Sequence, residues 1–464
     1  MTKFFRRTIA VIIIAGLGAG QASADALRPS AFVNGPEKTA QEQAFENLKK
    51  AFDLKGAITK ALLAEAINEL EDIFNSRSQS ARDTIVNNIA YPFFEREKAS
   101  PGKTASETPI KKDLLDKIKV FGIDVIPTGD VTFMWKETAK NGPLELTNVI
   151  YNSGGGSVNI AKVFANFNEY FGLMSFAGRG RFHKRWRQDF ESEHVINFRF
   201  FTEQLHRKIN IYNIVKGEKL PVLCSRGNTI PRVIVNEFLK IFEKKLKKCK
   251  NVKFLTLNAS SMVAFEDADA LRAYKKIIEI AHKHKNKIEV LIDFSSTTKP
   301  DVIKAVLELN EPRKRPCDII TPSLEQFIKI LESTGLAKKN ELSRDTLTDK
   351  KIATYAWQLI KDYNLSAVLI KRDKDGLILV RNNYEFMREK GLEVEVVSEI
   401  AAGDAAAAGL LIALSEGKSW QEAIKTADLF GAATVILPAT EVVTPEALDF
   451  VKKEQILQNI SQAA

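Results

Sequence analysis

Cysteine is scarce in this sequence, with three among 464 residues. Cys224, Cys249 and Cys317 lie far apart, and an odd, dispersed set matches neither a zinc site nor a framework of disulfides. The sequence also contains no internal repeat and no low-complexity tract. Its 45% hydrophobic and 27% charged residues are typical of a globular protein, which excludes the disordered and fibrous classes.

Long apolar runs are missing too, apart from one near the N-terminus. Residues 9–20 are apolar, follow basic residues and precede the small-residue motif Ala22-Ser23-Ala24. This pattern is typical of a secretory signal peptide, and the run is too short to span a bilayer comfortably. We therefore expect residues 1–24 to be a signal peptide and no stable membrane anchor after cleavage. A misassigned start or an apolar N-terminal helix are the alternatives.

Acidic residues are fewer than basic ones, with 58 Asp and Glu against 68 Lys and Arg, a net charge of +10. Such a charge suits a phosphorylated ligand, nucleic acid or an anionic surface. Basic clusters lie at 179–187, 240–253 and 283–287, but no nucleic-acid-binding motif accompanies them. We interpret them as solvated faces and predict no nucleic-acid partner.

The chain divides near residue 115. Residues 25–115 are predicted to be a helical segment and linker of unknown function, with helical periodicity at 40–52, 58–74 and 81–97. A second domain is expected at 116–455.

In the second domain, short apolar runs alternate with helical patterns, which predicts an α/β fold with a mostly parallel sheet. Ligands of such sheets lie beyond the carboxyl ends of the strands. Segments near 131–151 and 196–226 are expected to form a separate small sheet. Strands are predicted at 118–125, 173–177, 252–257, 288–293, 318–320, 367–370 and 377–380, and helices at 156–166, 267–284, 324–331 and 351–363.

The sequence Ser398-Glu399-Ile400-Ala401-Ala402-Gly403-Asp404 precedes an Ala- and Leu-rich run, which predicts a tight turn that enters a helix. Small residues let backbone N–H groups surround an anion, and the first N–H groups of a helix carry a positive partial charge. Asp404 could accept a proton from a hydroxyl while a phosphoryl group is transferred. The alternative is that Asp404 is only a helix N-cap.

Residues 401–411, with 416–423, resemble the C-terminal signature of the PfkB/ribokinase family of carbohydrate kinases, especially the branch acting on fructose and tagatose phosphates. Residues 154–163 are similar to the family's N-terminal glycine signature, and Pro127-Thr128-Gly129-Asp130 resembles its Pro-x-x-Asp turn. The resemblance implies a ribokinase-like three-layer fold with a β-sheet lid over the sugar. It also implies that Asp404 is the general base and that Ala401, Ala402 and Gly403 form the anion hole.

On the substrate side, the resemblance implies that Asp130 and Asn159 bind sugar hydroxyls while Gly154 and Gly155 let the backbone close on the ligand. An ordinary strand-to-helix loop is the alternative. The phosphosugar branch usually has Lys at Gly156, so the cation expected to meet a substrate phosphate is absent here. Candidate replacements are Arg179, Arg181 and Arg207.

On the nucleotide side, ATP and Mg²⁺ are the implied cofactors. The family's Asn and Glu linked to magnesium are replaced by Ser323 and Gln326, and a neutral Gln is not a carboxylate ligand, which leaves Glu325 as the candidate. Little of the family's glycine-rich phosphate loop remains. The implied nucleotide-binding residues are Lys371, Gly376, Asp428 and Gly431.

Two hypotheses follow from the sequence. The first is ATP-dependent phosphoryl transfer to a hydroxyl of a sugar or sugar phosphate, which requires ATP and favours the cytoplasm. The second is a catalytically impaired protein that binds a sugar or other ligand, which agrees better with export to the periplasm or beyond. A homodimer is compatible with either.

Overall fold

The computed structural model describes residues 110–124, 128–138, 144–177, 186–201, 208–216, 218–219, 223–225, 232–258, 267–294, 300–308 and 318–463. Five sets of residues singled out above lie outside these ranges: the predicted signal peptide, the helical segment before residue 110, Pro127, Cys317, and the arginines at 179, 181 and 207.

Fourteen strands are present among the described residues. In chain order they are β1 (Val120–Asp124), β2 (Thr128–Glu137), β3 (Leu144–Gly154), β4 (Phe171–Ala177), β5 (Val195–Phe201), β6 (Lys208–Val215), β7 (Glu218–Lys219), β8 (Leu223–Ser225), β9 (Phe254–Asn258), β10 (Glu289–Asp293), β11 (Ile319–Ile320), β12 (Ala367–Lys371), β13 (Leu377–Arg381) and β14 (Phe386–Glu389).

Nine of these strands form the central sheet, in the order β14-β13-β12-β11-β10-β9-β1-β4-β5. All pairs from β12 to β5 are parallel, and β13 and β14 add an antiparallel edge. The inner strands are continuous apolar runs because both faces of the sheet are covered; all five residues of β1 and of β9 are buried. The expectation of a mostly parallel α/β sheet is confirmed.

Ten α-helices complete the described part of the fold. They are α1 (Lys112–Lys117), α2 (Gly156–Asn166), α3 (Arg232–Leu246), α4 (Asp267–Lys283), α5 (Pro300–Leu307), α6 (Leu324–Thr334), α7 (Asp349–Tyr363), α8 (Ala402–Glu416), α9 (Trp420–Val435) and α10 (Pro445–Ala463).

The helices cover the two faces of the sheet and create two hydrophobic cores. Helices α2, α8, α9 and α10 contribute buried side chains such as Val158, Leu410 and Phe430 to one core. Helices α3 to α7 contribute Phe242, Ile277 and others to the second core. The result is the expected three-layer arrangement. In the residues described, no helix combines the length and apolar character that a membrane span requires.

A second, smaller sheet lies beside the first and has the order β3-β2-β6-β7, with β8 also paired to β6. It confirms the small sheet predicted from 131–151. The range predicted for its other half, 196–226, was partly wrong, because β5 pairs in parallel with β4 in the large sheet. The physical reason is burial: Phe198 and Phe200 of β5 pack against the second core, where Phe200 meets the ring of Phe238 at 5.8 Å.

Candidate active site

The carboxyl ends of three adjacent parallel strands bring polar side chains together. Asp293 ends β10, Thr321 follows β11 and Lys371 ends β12. Thr321 Oγ1 donates a hydrogen bond to Asp293 Oδ1 at 3.2 Å, and Lys371 Nζ lies 2.9 Å from the same oxygen. The sheet topology itself therefore gathers these three groups at one edge.

Asp404 reaches this edge from the turn before α8. Ala401 is the N-cap residue and adopts a left-handed conformation, with φ 66° and ψ −3°. Within the described part of the chain, the N–H groups of Ala402, Gly403 and Asp404 donate to no acceptor, whereas Ala405 N donates to Ala401 O at 2.9 Å. Three backbone donors at a helix start are thus free to bind an anion. The N-cap position of α8 is occupied by Ala401, and Asp404 lies in the first turn. The alternative that Asp404 is only a helix N-cap is therefore wrong.

Asp404 is partly buried, and its surroundings change its acidity. Asn159 Nδ2 donates a hydrogen bond to Asp404 Oδ2 at 2.7 Å. Burial and the negative charges of Asp293 and Asp130 raise the pKa of Asp404 to about 6, against the opposing effects of the Asn159 hydrogen bond and the Lys371 charge. A carboxylate with this pKa is ionised at neutral pH yet accepts a proton more readily than an ordinary Asp.

Lys371 supplies positive charge at the same turn. Its Nζ lies 3.0 Å from the position that a Cβ on Gly403 would occupy, and its side chain is 13% exposed. Glycine at 403 therefore leaves the space in which the ammonium group sits beside the free N–H groups. An anion bound in the turn would be within reach of both.

The small sheet carries Asp130 toward the glycine loop. Asn210 Nδ2 donates a hydrogen bond to Asp130 Oδ1 at 2.7 Å, because β2 and β6 run in parallel with these two residues in register. A Cβ on Gly154 would overlap the Asp130 carboxylate. Asn159, in the first turns of α2, has a buried Oδ1 that accepts no hydrogen bond from any described residue. Asp130 therefore brings acceptor oxygens to the glycine loop, and Asn159 brings one to the helix that follows it.

The glycine loop is tightly packed. Gly155 has φ 112°, and a Cβ there would overlap the carboxylate of Asp124 at the end of β1. At Gly156, where the resembled family has Lys, a Cβ would overlap the amide nitrogen of Asn258 at the end of β9. The space for a side chain at 156 is thus occupied by a neutral amide.

Three side chains hydrogen-bond to the backbone that leads into the glycine loop. Lys162 Nζ donates to Ser153 O at 2.7 Å, Asp189 Oδ2 accepts from Ser153 N at 2.5 Å, and Trp186 Nε1 donates to Gly154 O at 3.4 Å. Burial lowers the pKa of Lys162, although the carboxylate of Asp189 opposes this change. The peptide groups that precede the predicted sugar-binding glycines are therefore fixed from both sides.

The predicted nucleotide-binding residues lie on different elements of the fold. Gly431 of α9 packs against the start of α8, its Cβ position being 3.6 Å from Ala406 Cβ and 3.7 Å from Ala402 O. Asp428, one turn earlier, faces Glu389, and burial together with that charge raises the pKa of Asp428 to about 7. Gly376 lies elsewhere, with φ 80° and no room for a Cβ against the backbone of residues 389–391. Lys371, described above, is the member of the set whose charge acts on Asp404.

The segment expected to bind magnesium, residues 323–326, forms the N-terminus of α6. Ser323 and Gln326 form a capping box at α6, in which Gln326 Oε1 accepts from Ser323 N at 2.7 Å. The Glu325 side chain is 58% exposed and lies 3.4 Å from Arg344. No group of three or more His, Cys, Asp or Glu residues that could hold a metal ion occurs in the described ranges. Residues 323–326 therefore do not fit a protein-bound Mg²⁺, and we assign it no step.

Sequence reasoning missed Asp124, Asn210, Asn258 and Asp293. Asn210 could not have been found without the pairing of β2 with β6. The other three end β1, β9 and β10. A polar residue at the carboxyl end of a buried parallel strand was therefore the sequence signal that could have identified them as site residues.

The nine-stranded sheet with helices on both faces, the small β-sheet and the turn at the start of α8 define a ribokinase-like kinase fold. The chain belongs to the pfkB family of carbohydrate kinases, whose family model matches residues 118–446. The resemblance read from the sequence is confirmed. Members of this family are transferases that use ATP, in general with a divalent cation.

Individual relatives are distant. Bifunctional protein HldE of Histophilus somni is 24% identical over 296 residues, which are 64% of this chain and 54% of that protein. The chain thus spans about half the length of the HldE relatives it matches. The 1-phosphofructokinase of Borreliella burgdorferi is 24% identical over 318 residues, 68% of this chain and 92% of that protein.

Solved structures show the same fold. Phosphofructokinase-2 of Escherichia coli superposes with a TM-score of 0.56 at 14% identity, over 72% of this chain and 98% of its own. Ribokinase of Thermotoga maritima gives a TM-score of 0.52 at 14% identity, over 72% and 99%. At this identity the likeness concerns the fold alone.

Proposed function

We propose that this chain transfers the γ-phosphoryl group of ATP to a hydroxyl of a sugar or sugar phosphate. The single observation that supports this most strongly is the α8 turn: free N–H groups, the Lys371 ammonium and the Asp404 carboxylate lie side by side. Few other tasks need an anion site and a proton acceptor next to each other.

In the proposed reaction Asp404 takes the proton of the substrate hydroxyl as that oxygen forms a bond to the γ-phosphorus. The bond between the γ-phosphorus and the bridging oxygen breaks, and ADP leaves. Backbone N–H groups of 402–404 and Lys371 stabilise the negative charge on the phosphoryl oxygens. Asp130 and Asn159 orient the sugar, because their carboxylate and amide oxygens accept hydrogen bonds from hydroxyl groups.

The test is ADP release by the purified protein with ATP, MgCl₂ and a panel of sugars and sugar phosphates. We expect sugar-dependent ADP release from the wild type and a loss of at least about 100-fold in Asp404→Asn. Asp345→Asn, an exposed carboxylate replaced in the same way, is the matched control and should retain full activity. Absence of sugar-dependent release across the panel, or equal rates for wild type and Asp404→Asn, would refute the proposal.

A second function, ligand binding without catalysis, is favoured by one observation. Lys371 is held by Asp293, and Ser323 and Gln326 are held by their own helix cap. If these groups cannot leave their partners, ATP binds poorly. Isothermal titration distinguishes the two functions: sugar binding without measurable MgATP binding supports the second, and millimolar or tighter MgATP binding supports the first.

A further inference from the structure

A cleft of about 730 Å³ lies at the end of the sheet opposite Asp404. Lys119, Tyr170, Lys253 and Asn286, which line it, precede strands β1, β4, β9 and β10 respectively. Because these strands are parallel, their amino ends meet at one edge, away from the edge that carries Asp293 and the α8 turn. We call this region the amino-end cleft.

Positive charge predominates in the amino-end cleft. Lys117, Lys119 and Lys253 line it together with two carboxylates, Asp116 and Glu169. The Lys119 ammonium group forms no ion pair or hydrogen bond with any described residue, and its side chain is half-buried. A half-buried ammonium group without a partner favours an incoming anion.

The cleft also offers a hydrogen-bond acceptor. Asp116 has a buried carboxylate oxygen, Oδ1, that accepts no hydrogen bond from the described residues. The backbone beneath is fixed, because Asn251 Nδ2 donates to Asp116 O at 2.6 Å and Asn286 Nδ2 donates to Lys250 O at 2.6 Å. A ligand that carries both an anion and hydroxyl donors would satisfy Lys119 and Asp116 together.

One lysine of the cleft connects it to the catalytic helix. Lys253 Nζ donates to Ser415 O at 3.1 Å, in the last turn of α8. Asp404 lies in the first turn of the same helix, so the two ends are separated by roughly 15–20 Å. Because an ammonium group has three N–H donors, Lys253 can bind an anion while it holds this helix-end contact, so the two share one side chain.

We infer that the amino-end cleft binds a phosphorylated sugar as an effector, separate from the site around Asp404. Its phosphate group lies between Lys119 and Lys253, with Lys117 at the rim, and a hydroxyl donates to Asp116. The binding itself does not depend on whether the chain is an active kinase.

The experiment is a titration of the full-length protein with glucose 6-phosphate, with glucose and inorganic phosphate as separate comparison ligands. Lys119→Met should weaken binding of glucose 6-phosphate by about tenfold, because it removes one charge-assisted hydrogen bond. Lys240→Met, an exposed lysine of α3 outside the cleft, should leave the affinity within about twofold. Asp404→Asn should leave the Lys119-dependent part of the binding unchanged, which separates this site from the proposed active site.

Hydrogen exchange locates the ligand. Protection of peptides covering 116–119 and 251–254, with altered exchange at 413–416, supports the inference. Three results would overturn it: no binding of glucose 6-phosphate, an affinity that Lys119→Met does not change, or protection confined to residues near 401–404. Each can occur with or without kinase activity, so a failure here is distinguishable from a failure of the proposed function.

Discussion

Asp404 shows how neighbours set the chemistry of one side chain. Its carboxylate lies in a partly buried site beside Asp293 and Asp130, and Asn159 and Lys371 favour its ionised form. Its pKa is therefore raised to about 6, so the group is a base above this pH and is protonated below it.

The pH dependence of the reaction follows from the upward shift of the Asp404 pKa. The value of kcat/KM is expected to fall by about tenfold for each pH unit below about 6, because the protonated carboxyl cannot accept a proton. A steady-state pH profile with the best sugar of the panel measures it. A profile that stays flat down to about pH 5 would show that Asp404 is not the base.

The same shift predicts a change in stability. Because the pKa of Asp404 is higher in the folded chain than in the unfolded chain, ionisation at neutral pH destabilises the fold, and this cost appears as the pH rises through the interval from 3.8 to about 6. Asp404→Asn should therefore raise the free energy of unfolding at pH 7 by on the order of 1 kcal/mol. Urea unfolding at pH 4 and pH 7 checks this; a gain of equal size at both pH values would contradict the explanation.

Lys371 is expected to stabilise the charge of the phosphoryl group and to lower the pKa of Asp404. Lys371→Met should lower kcat by about 100-fold or more and should move the acid limb of the pH profile to higher pH, because Asp293 is then uncompensated beside Asp404. Lys371→Arg keeps the charge and should keep the limb near its wild-type position. If the Met variant matches the wild type in rate and in profile, Lys371 has no part in phosphoryl transfer.

At the scale of helices and strands, two glycines at the ends of elements differ in how tightly they are packed. Two glycines have nearly the same positive φ, 80° at Gly376 and 77° at Gly335, but only Gly376 packs against backbone atoms. Gly335 ends α6 with open space around its Cβ position. Their ψ angles differ as well: Gly335 is in the left-handed helical region with ψ 10°, whereas Gly376 has ψ −142°, in a region that essentially only glycine adopts.

Alanine at each position tests this difference. Gly335→Ala should cost about 1 kcal/mol, the strain of a left-handed L-residue. Gly376→Ala should cost several kcal/mol, because its backbone angles are unfavourable for alanine and residues 389–391 must move as well. Urea unfolding of both variants measures the difference. Equal costs would mean that neither the ψ angle of Gly376 nor its contact with 389–391 adds to the cost.

Predictability from sequence also differed between elements. The helix predicted at 156–166 and the Ser419–Glu422 capping box appear as expected, because periodicity and capping are local properties. The placement of β5 in the large sheet and the Asp130–Asn210 contact depend on which strands pair. Pairing across a long sequence separation leaves little trace in local pattern.

The whole molecule raises the question of where the kinase domain works. The predicted signal peptide precedes a domain of an ATP-using family, and ATP is scarce outside the cytoplasm. We expect a mature N-terminus at Asp25 if the signal is used. N-terminal mass spectrometry of the protein from fractionated cells decides this; an uncleaved Met1 in the cytoplasmic fraction would refute export.

The central claim is that the turn at 401–404 holds a phosphoryl group while Asp404 activates an alcohol. The most direct test is a single-turnover measurement with γ-labelled ATP and the sugar found in the panel. The account predicts that label moves from ATP to the sugar and that Asp404→Asn slows this transfer by about 100-fold or more without loss of ATP binding. Label appearing only in free phosphate, or transfer at the same rate in both proteins, would contradict it.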